Sequence, residues 1–405
     1  MKAGAPTVLM ITPDYPPRIT GGCALSCRLL VEGLRSRGMN VDVLAFNGDI
    51  RDEITSERGF VRYLPHPRRE VLLQLNMYAV KAMKGLNKRY DIIHVYNCQQ
   101  IPAAVFYARK NRSKVVATLN NMVPVCTNPS NFEEDECTAC TPLDTLACAM
   151  KRKGGIAMKA FMPFHWAQFH ALRRYARDVD MYIALSEETK RYYVSSGFDP
   201  DKIRVIPNMF DPAMMGLANA TPRTEHKGTK NIIYTGRLEV EKGLQVLIES
   251  LSIIDRKDIV LYLVGKGDYT EQLKELAVKL GVGDRVVFPG FLPQEEIARY
   301  YALADVFVHP ALWPEPFART LLESLAFNVP LVVSDKGPSS RILEEACLSF
   351  RSGDARDLAE KLETVLYDKV KANEMRAHGR IVLSRYSPDT ILTKVEKLYK
   401  EVMAK

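Results

Sequence analysis

Nothing in this 405-residue chain is long and apolar enough to cross a bilayer: no hydrophobic run approaches the roughly 18 to 20 residues that a spanning helix needs. The opening "MKAGAPTVLMITPDYPP" reads instead as a first strand and its loop, so the expectation is a protein made and kept in the cytoplasm. Cysteine is scarce as well, and eight residues are too few for a disulfide scaffold in a chain this long. The fingerprint G-x-G-x-x-G is missing after the first strand, where "TGGCALS" supplies only Gly21 and Gly22. Its absence speaks against a dinucleotide oxidoreductase. Apolar residues at 47% and charged residues at 26% are ordinary values for a soluble globular protein and exclude general disorder.

What is present is a repeated alternation of strand and helix. "TVLMITPDYPP" is a short buried strand and loop, followed by an apolar-periodic stretch from Ala24 to Arg37 that Gly38 closes. "MNVDVLAF", "YDIIHVYN", "KVVATLN" and "VDMYIALS" continue the series with helical stretches between them. The pattern restarts after the Pro-, Gly- and Asn-rich "IRVIPNMFDPAMMGLANATPRTEHKG", which reads as a linker. "KNIIYTGRL", "IVLYLVGKG", "RVVFPGFL", "DVFVHPAL" and "VPLVVSD" are the strands of this second series, and a helical tail ends the chain. Strands alternating with helices predict parallel sheets covered on both faces, here in two Rossmann-like doubly wound α/β domains facing a cleft. The expected boundaries are a first α/β domain over 1–211, a second over 212–385 and a last helix over 386–405. Charge divides along the same line. Residues 1–211 hold 29 Lys and Arg against 21 Asp and Glu, a net of +8, whereas residues 212–405 hold 27 of each. The first half is therefore expected to meet an acidic partner or an anionic surface.

The chemistry concentrates at strand ends in the second half. In "HPALWPEPFARTLLESLAFNVP" Glu315 lies between Pro314 and Pro316, and Glu323 follows eight residues later. A helix is expected from about Phe317, which leaves the N–H groups of Phe317, Ala318, Arg319 and Thr320 without intrahelical partners at the positive end of the dipole. Two carboxylates beside such an end would repel a bare phosphate. They suit a ligand that alternates diols with a diphosphate, because each ionised Glu accepts two neighbouring O–H donors. In "TGRLEVEKGL" Arg237 and Lys242 follow the first strand of the second series, and a guanidinium fork with a mobile ammonium is the combination expected around a diphosphate. Gly236 and Gly265, at the ends of two strands, and Gly21 with Gly22 allow backbone to approach such a ligand closely. The set points to a nucleotide-sugar.

"PPRITGG", "VIPNMFD", "GRLEVEKGL" and "EPFARTLLESLAFNVPLVVSD" stand in an order that resembles the retaining glycosyltransferases of the GT-B fold, family 4, over nearly the whole length. The resemblance implies that the first domain binds the acceptor, that the second binds the nucleotide-sugar, and that the last helix crosses back to the first domain. It implies that Glu323 binds the nucleotide ribose and Glu315 the donor sugar hydroxyls. It assigns the diphosphate to Arg237 and Lys242, with the amides of Phe317 and Ala318 adding to the anion site. It further implies a hexosyltransferase that needs no metal, since fixed cations neutralise the leaving group, and same-face retention in which the departing diphosphate takes the acceptor's proton. The chain departs from the family in "VVATLNNMVPVC", where Asn120 and Asn121 replace a His-Asp pair. Asn120 can hydrogen-bond a sugar hydroxyl but cannot take a proton. A non-catalytic sugar-nucleotide-binding partner of another transferase and a nucleotide-sugar epimerase remain alternatives.

Four cysteines cluster as Cys126-x10-Cys137-x2-Cys140-x7-Cys148 on an inserted loop, a spacing open to structural zinc, disulfides or free thiols. His94, near the end of its strand, is an acceptor contact or a satisfied structural residue. Cys23 and Cys27, one helical turn apart, read as buried thiols. "MKRKGGIAMKAFMPFHWAQFHALRRYARD" combines seven cations with aromatic residues, and "HPRREVLLQLNMYAVKAMKGLNKRY" has the same character. Such stretches fit either core-packed helices with solvated charged faces or an anionic membrane surface, in which case the acceptor is lipid-linked or an envelope glycan precursor. No nucleic-acid partner is expected.

Overall fold

A computed structural model of the chain describes residues 6–17, 21–46, 53–64, 72–96, 98–126, 143–144, 147–148, 162–223 and 228–405. It divides into two compact units, Met1–Met209 with Asp389–Lys405, and Phe210–Pro388.

The first unit is built on an eight-stranded sheet in the order β3-β4-β2-β1-β5-β6-β7-β8. Its strands are β1 (Val8–Thr12), β2 (Val41–Ala45), β3 (Glu53–Ser56), β4 (Gly59–Tyr63), β5 (Ile92–Val95), β6 (Lys114–Leu119), β7 (Met181–Ala184) and β8 (Ile203–Val205). All pairs are parallel except the β3–β4 hairpin at one edge. Central strands such as "VLMIT" are buried along their length, which is why they are continuous apolar runs and do not alternate. Apolar cores lie on both faces of the sheet. One of them is completed by Ile391, Leu392, Val395, Leu398, Tyr399 and Val402 of the last helix, Pro388–Ala404.

The second unit carries a six-stranded parallel sheet in the order β11-β10-β9-β12-β13-β14. The strands are β9 (Lys230–Thr235), β10 (Ile259–Val264), β11 (Val286–Gly290), β12 (Val306–His309), β13 (Leu331–Ser334) and β14 (Cys347–Phe350). β9 pairs with β10 on one side and with β12 on the other, the latter through Val306↔Ile232 and Phe307↔Ile233. Chain order reverses there. The connections leaving β9 and β12 therefore diverge to opposite faces and open a crevice at their carboxyl ends, where open α/β sheets bind ligands. In the first unit the same reversal lies between β1 and β5.

Part of the expected linker is regular structure. It holds β8 and a helix, Pro212–Ala220, whose Asp211 side chain accepts from the Ala213 N–H at 2.9 Å while Pro212 takes the first helical position. Among the described residues no helix is long and apolar enough to cross a membrane.

Candidate functional site

The crevice between β9 and β12 gathers most of the residues that the sequence singles out. The loop after β9 carries Arg237 and Lys242, and the loop after β12 carries Glu315. Lys242 Nζ donates to Glu315 Oε2 at 2.6 Å, and His309 Nε2 lies 3.2 Å from the same oxygen. An ionised carboxylate can only accept, so the Nε2 nitrogen carries the proton. The His309 Nδ1 then faces the Ser339 hydroxyl at 3.5 Å. Lys242 also sits 5.4 Å from the centroid of the Trp313 ring. Burial by itself would raise the Glu315 carboxyl, but the Lys242 ammonium and the His309 hydrogen bond outweigh it and hold the group well below the usual carboxylate range.

Arg237 is held more loosely. Its guanidinium is 55% exposed and lies 3.9 Å from Glu239 and 3.7 Å from Glu241. Buried Tyr234 links the two parts of the site, because its hydroxyl donates to the Arg237 carbonyl at 2.9 Å and its ring oxygen feels the Glu315 charge. Burial, followed by that charge, pushes the Tyr234 phenol well up, so it stays protonated and able to donate.

Glu323 is placed apart from this cluster. The Tyr301 hydroxyl lies 3.0 Å from Glu323 Oε2 and 2.7 Å from the Thr235 hydroxyl, so a short chain of hydroxyls ties Glu323 back to the end of β9. Burial raises the Glu323 carboxyl, and the nearby Arg319 charge and the Tyr301 bond only partly offset it.

The helix that follows starts at Arg319, two residues later than expected, with an extended Ala318 as its N-cap and no side chain capping it. The physical reason is the backbone of Ala318, which at φ −82° and ψ 117° is not helical. The Phe317 ring beside it is buried, 5.7 Å from that of Tyr386. The orphan N–H groups accordingly belong to the turn beginning at Ala318 and include Arg319 and Thr320.

Glycines bring the loops together. A Cβ on Gly265 would meet the Gly236 carbonyl oxygen at 1.8 Å, and one on Gly243 would meet the Pro310 carbonyl oxygen at 1.9 Å. Gly243, at φ +72°, lets the Lys242 loop lie directly against the loop that carries Glu315.

In the first unit, Gly21 and Gly22 lie at the start of the helix Gly22–Ser36, after β1. Among the described residues nothing lies within 4 Å of a Cβ added to Gly21, whose backbone is extended. Asn120 follows β6, and its side-chain amide donates to the Tyr96 carbonyl and lies 3.1 Å from Cys23 Sγ. Asn121 turns inward, accepting from the Val123 N–H at 3.0 Å. His94 is a structural residue: it is fully buried, with Nδ1 2.6 Å from the Tyr399 hydroxyl and Nε2 2.8 Å from the Thr118 hydroxyl. Burial lowers its imidazole to about 3. Cys27 is fully buried, Cys23 is partly covered, and burial pushes the Cys23 thiol up to about 12.

Cys137 and Cys140 lie outside the described residues, as do Lys151, Arg152, Lys153 and Lys159. Cys126 is buried and Cys148 partly covered, and among the described residues no group of three or more metal-ligating side chains occurs.

The sequence comparisons agree with this layout. Residues 20–214 match the model for Glycosyltransferase Family 4, and residues 219–382 match that for Glycosyl transferases group 1. The chain belongs to glycosyltransferase family 4. It is similar to an uncharacterized glycosyltransferase of Methanocaldococcus jannaschii, with 28% identity over 83% of this chain and 82% of the other. It is also similar to the GDP-mannose-dependent alpha-(1-6)-phosphatidylinositol monomannoside mannosyltransferase of Mycobacterium tuberculosis, at 26% identity over 96% of both. Among solved structures, Anabaena HepE in complex with UDP and glucose superposes with a TM-score of 0.73 at 18% identity, covering 98% of this chain and 99% of that one. The fold is thus GT-B, with two Rossmann-like halves.

Within this glycosyltransferase, sequence reasoning passed over His309, Tyr301, Tyr234 and Ser339. A signal existed for His309 alone: it is a polar residue closing the otherwise apolar strand "VFVH", one step from the loop that carries Glu315.

Proposed function

We propose that the protein is a retaining hexosyltransferase that moves a hexose from a nucleotide-diphosphate sugar to a glycan or lipid-linked acceptor. The observation that carries this reading is the Lys242–Glu315 contact at 2.6 Å, with half-exposed Arg237 on the same loop at the switch point of the second sheet. When a donor arrives, Arg237 and Lys242 turn to the diphosphate, which leaves the Glu315 carboxylate to accept from sugar hydroxyls. Glu323, held by Tyr301, accepts from the ribose diol. The amides at the start of the Arg319 helix complete the anion site, so leaving-group charge is balanced without a metal. The GDP-mannose dependence in the name of the mycobacterial relative and the UDP and glucose in the Anabaena neighbour support a nucleotide-sugar donor.

The reaction breaks the bond from the anomeric carbon to the diphosphate oxygen and forms one from that carbon to the acceptor oxygen on the same face. The acceptor's proton passes to the departing phosphate oxygen. In the first unit Gly21 lets backbone come close to a ligand, and Asn120 borders the same end of that sheet. An anionic membrane surface, met through the first unit, presents a lipid-linked acceptor.

Thermal stabilisation by UDP-glucose, GDP-mannose and ADP-glucose tests the donor site, because a ligand at 100 times its dissociation constant adds about 2.7 kcal/mol. One of them is expected to raise the melting temperature of the wild type and not of Arg237→Ala. A proton NMR spectrum of the product reads the anomeric configuration, and transfer undiminished in EDTA is expected. Glu315→Gln is expected to lower kcat about 100-fold or more. Full product formation by a complex of that variant with another transferase would instead identify a non-catalytic sugar-nucleotide-binding partner.

A further inference from the structure

At the other end of the first sheet lies a cavity of about 390 Å³ that the transfer reading does not use. Its walls include Lys84, Lys88, Arg89 and Lys110, with the rings of Phe106 and Tyr107. Residues 84–89 lead into β5, and Lys110, near the end of the helix Ile101–Asn111, leads into β6. Gly21, Tyr96 and Asn120 instead follow their strands. The two regions are separated by a strand length, roughly 15–20 Å.

Among the described residues the cations around this cavity are mostly uncompensated. Lys88 is paired with buried Asp42 at 2.7 Å. Lys110 stands 4.8 Å from the Phe106 ring centroid, and among the described residues no carboxylate lines the cavity. Among the described residues Lys84, Arg89 and Lys110 form no salt bridge. Three cations with no counter-charge among the described residues, beside a cavity of this size, recruit an anion.

The helix Leu72–Lys84 indicates the kind of anion. It buries Leu75, Asn76, Ala79 and Met83 against the core. At 100° per residue Leu73, Met77, Lys81 and Lys84 fall within about 80° of one another on the opposite side. There Leu73 is 56% and Met77 64% exposed. The Leu73 N–H donates to Gln168 Oε1 at 3.1 Å, which brings alongside the helix Met162–Ala176 with its exposed Phe164 one turn before Gln168. A solvent-facing stripe that changes from apolar to cationic along one helix fits a bilayer interface, apolar residues toward the acyl chains and cations among the phosphates. A soluble phosphate would leave Leu73, Met77 and Phe164 unexplained.

We propose that this cavity seats the headgroup of an anionic phospholipid while the Leu73–Met77 stripe lies in the bilayer interface. The proposal deepens the membrane part of the reading above and rests on it, and it does not depend on glycosyl transfer.

The full-length protein is floated with vesicles of phosphatidylcholine alone and of phosphatidylcholine with an equal part of phosphatidylglycerol. The expected result is partition into the anionic vesicles only. Lys84→Gln/Arg89→Gln/Lys110→Gln is expected to weaken that partition about a hundredfold at low salt, since each cation near an anionic surface contributes roughly a fivefold gain. Met77→Asp is expected to weaken it with every cation in place. Equal partition into both vesicle types, undiminished partition of the triple variant, or pyrophosphate protection of these cations from acetylation without vesicle binding would each overturn the proposal. An unchanged melting temperature and unchanged stabilisation by a nucleotide-sugar show that the triple variant is folded. Vesicle binding by a wild type that no nucleotide-sugar stabilises would sink the transfer reading and leave this one standing.

Discussion

A histidine shows how far one residue's role depends on its surroundings. His94 stands near the end of a strand and looks like a contact for an incoming ligand, yet both its nitrogens are used in bonds to Tyr399 and Thr118, and it is fully buried. Its folded-state pKa, about 3, lies below the unfolded value of about 6.5, so on acidification the unfolded chain takes up this proton first. Stability is therefore lost as pH falls through the unfolded value. The expected loss is about 2 kcal/mol between pH 8 and pH 5, before most carboxylates titrate. Urea midpoints measured across that range are expected to show the slope in wild type and to lack it in His94→Gln. Glu315 and Glu323 make the complementary case. Both are glutamates of one short segment, but an ammonium next to Glu315 lowers its pKa while burial raises that of Glu323. Residue type and spacing do not separate the two, because Lys242, which lowers the one, and the packing that buries the other come from elsewhere in the chain.

At the scale of elements, the strands were most legible where burial on both faces demands continuous apolar runs, as in β1, β9 and β10. The hairpin of β3 and β4 carried no such run, since β3 is exposed along its whole length at the sheet edge. The four-residue β14 was hidden in a stretch read as helical tail. The helix at Pro212 had its Asp-Pro start signal, but the surrounding proline, glycine and asparagine read more strongly as linker. Loop contacts were not legible at all, and Gly243 offers a way to test them. Gly243→Ala would drive a methyl to 1.9 Å from the Pro310 carbonyl oxygen at φ +72°, which forces apart the loops that join Lys242 to Glu315. Gly281→Ala has a similar φ of +69° with nothing within 4 Å, and serves as the control. The control is expected to cost about 1 kcal/mol, the left-handed strain alone. Gly243→Ala is expected to cost about 2–4 kcal/mol and to abolish nucleotide-sugar stabilisation. Calorimetry of both variants, with and without donor, checks the pair.

At the scale of the whole molecule, the first unit is closed by residues from the far end of the chain. Ile391, Leu392, Val395, Leu398, Tyr399 and Val402 are all buried in its core, and Gly33 admits Leu392 so closely that a Cβ there would meet it at 2.7 Å. Six apolar side chains at about 1.5–3 kcal/mol each come to roughly 9–18 kcal/mol, as much as the 5–15 kcal/mol by which domains are ordinarily stable. Truncation after Pro388 is therefore expected to unfold residues 1–209 while leaving residues 210–388 folded. Limited proteolysis followed by mass spectrometry distinguishes the halves. Survival of the first unit as a folded body would show that the last helix is dispensable.

By itself the sequence determined the class of fold, the family and the residue types of the candidate site, because these follow from local patterns: apolar runs, glycine and proline punctuation, and charged groups at strand ends. Only the tertiary structure decided which of those charges meet. The reversal of strand order between β9 and β12 brings Lys242 within reach of Glu315, 73 residues away, and places Tyr301 under Glu323. Electrostatic and hydrogen-bond energies fall steeply with distance in space and are indifferent to distance along the chain, so no reading of local pattern could have supplied those pairs.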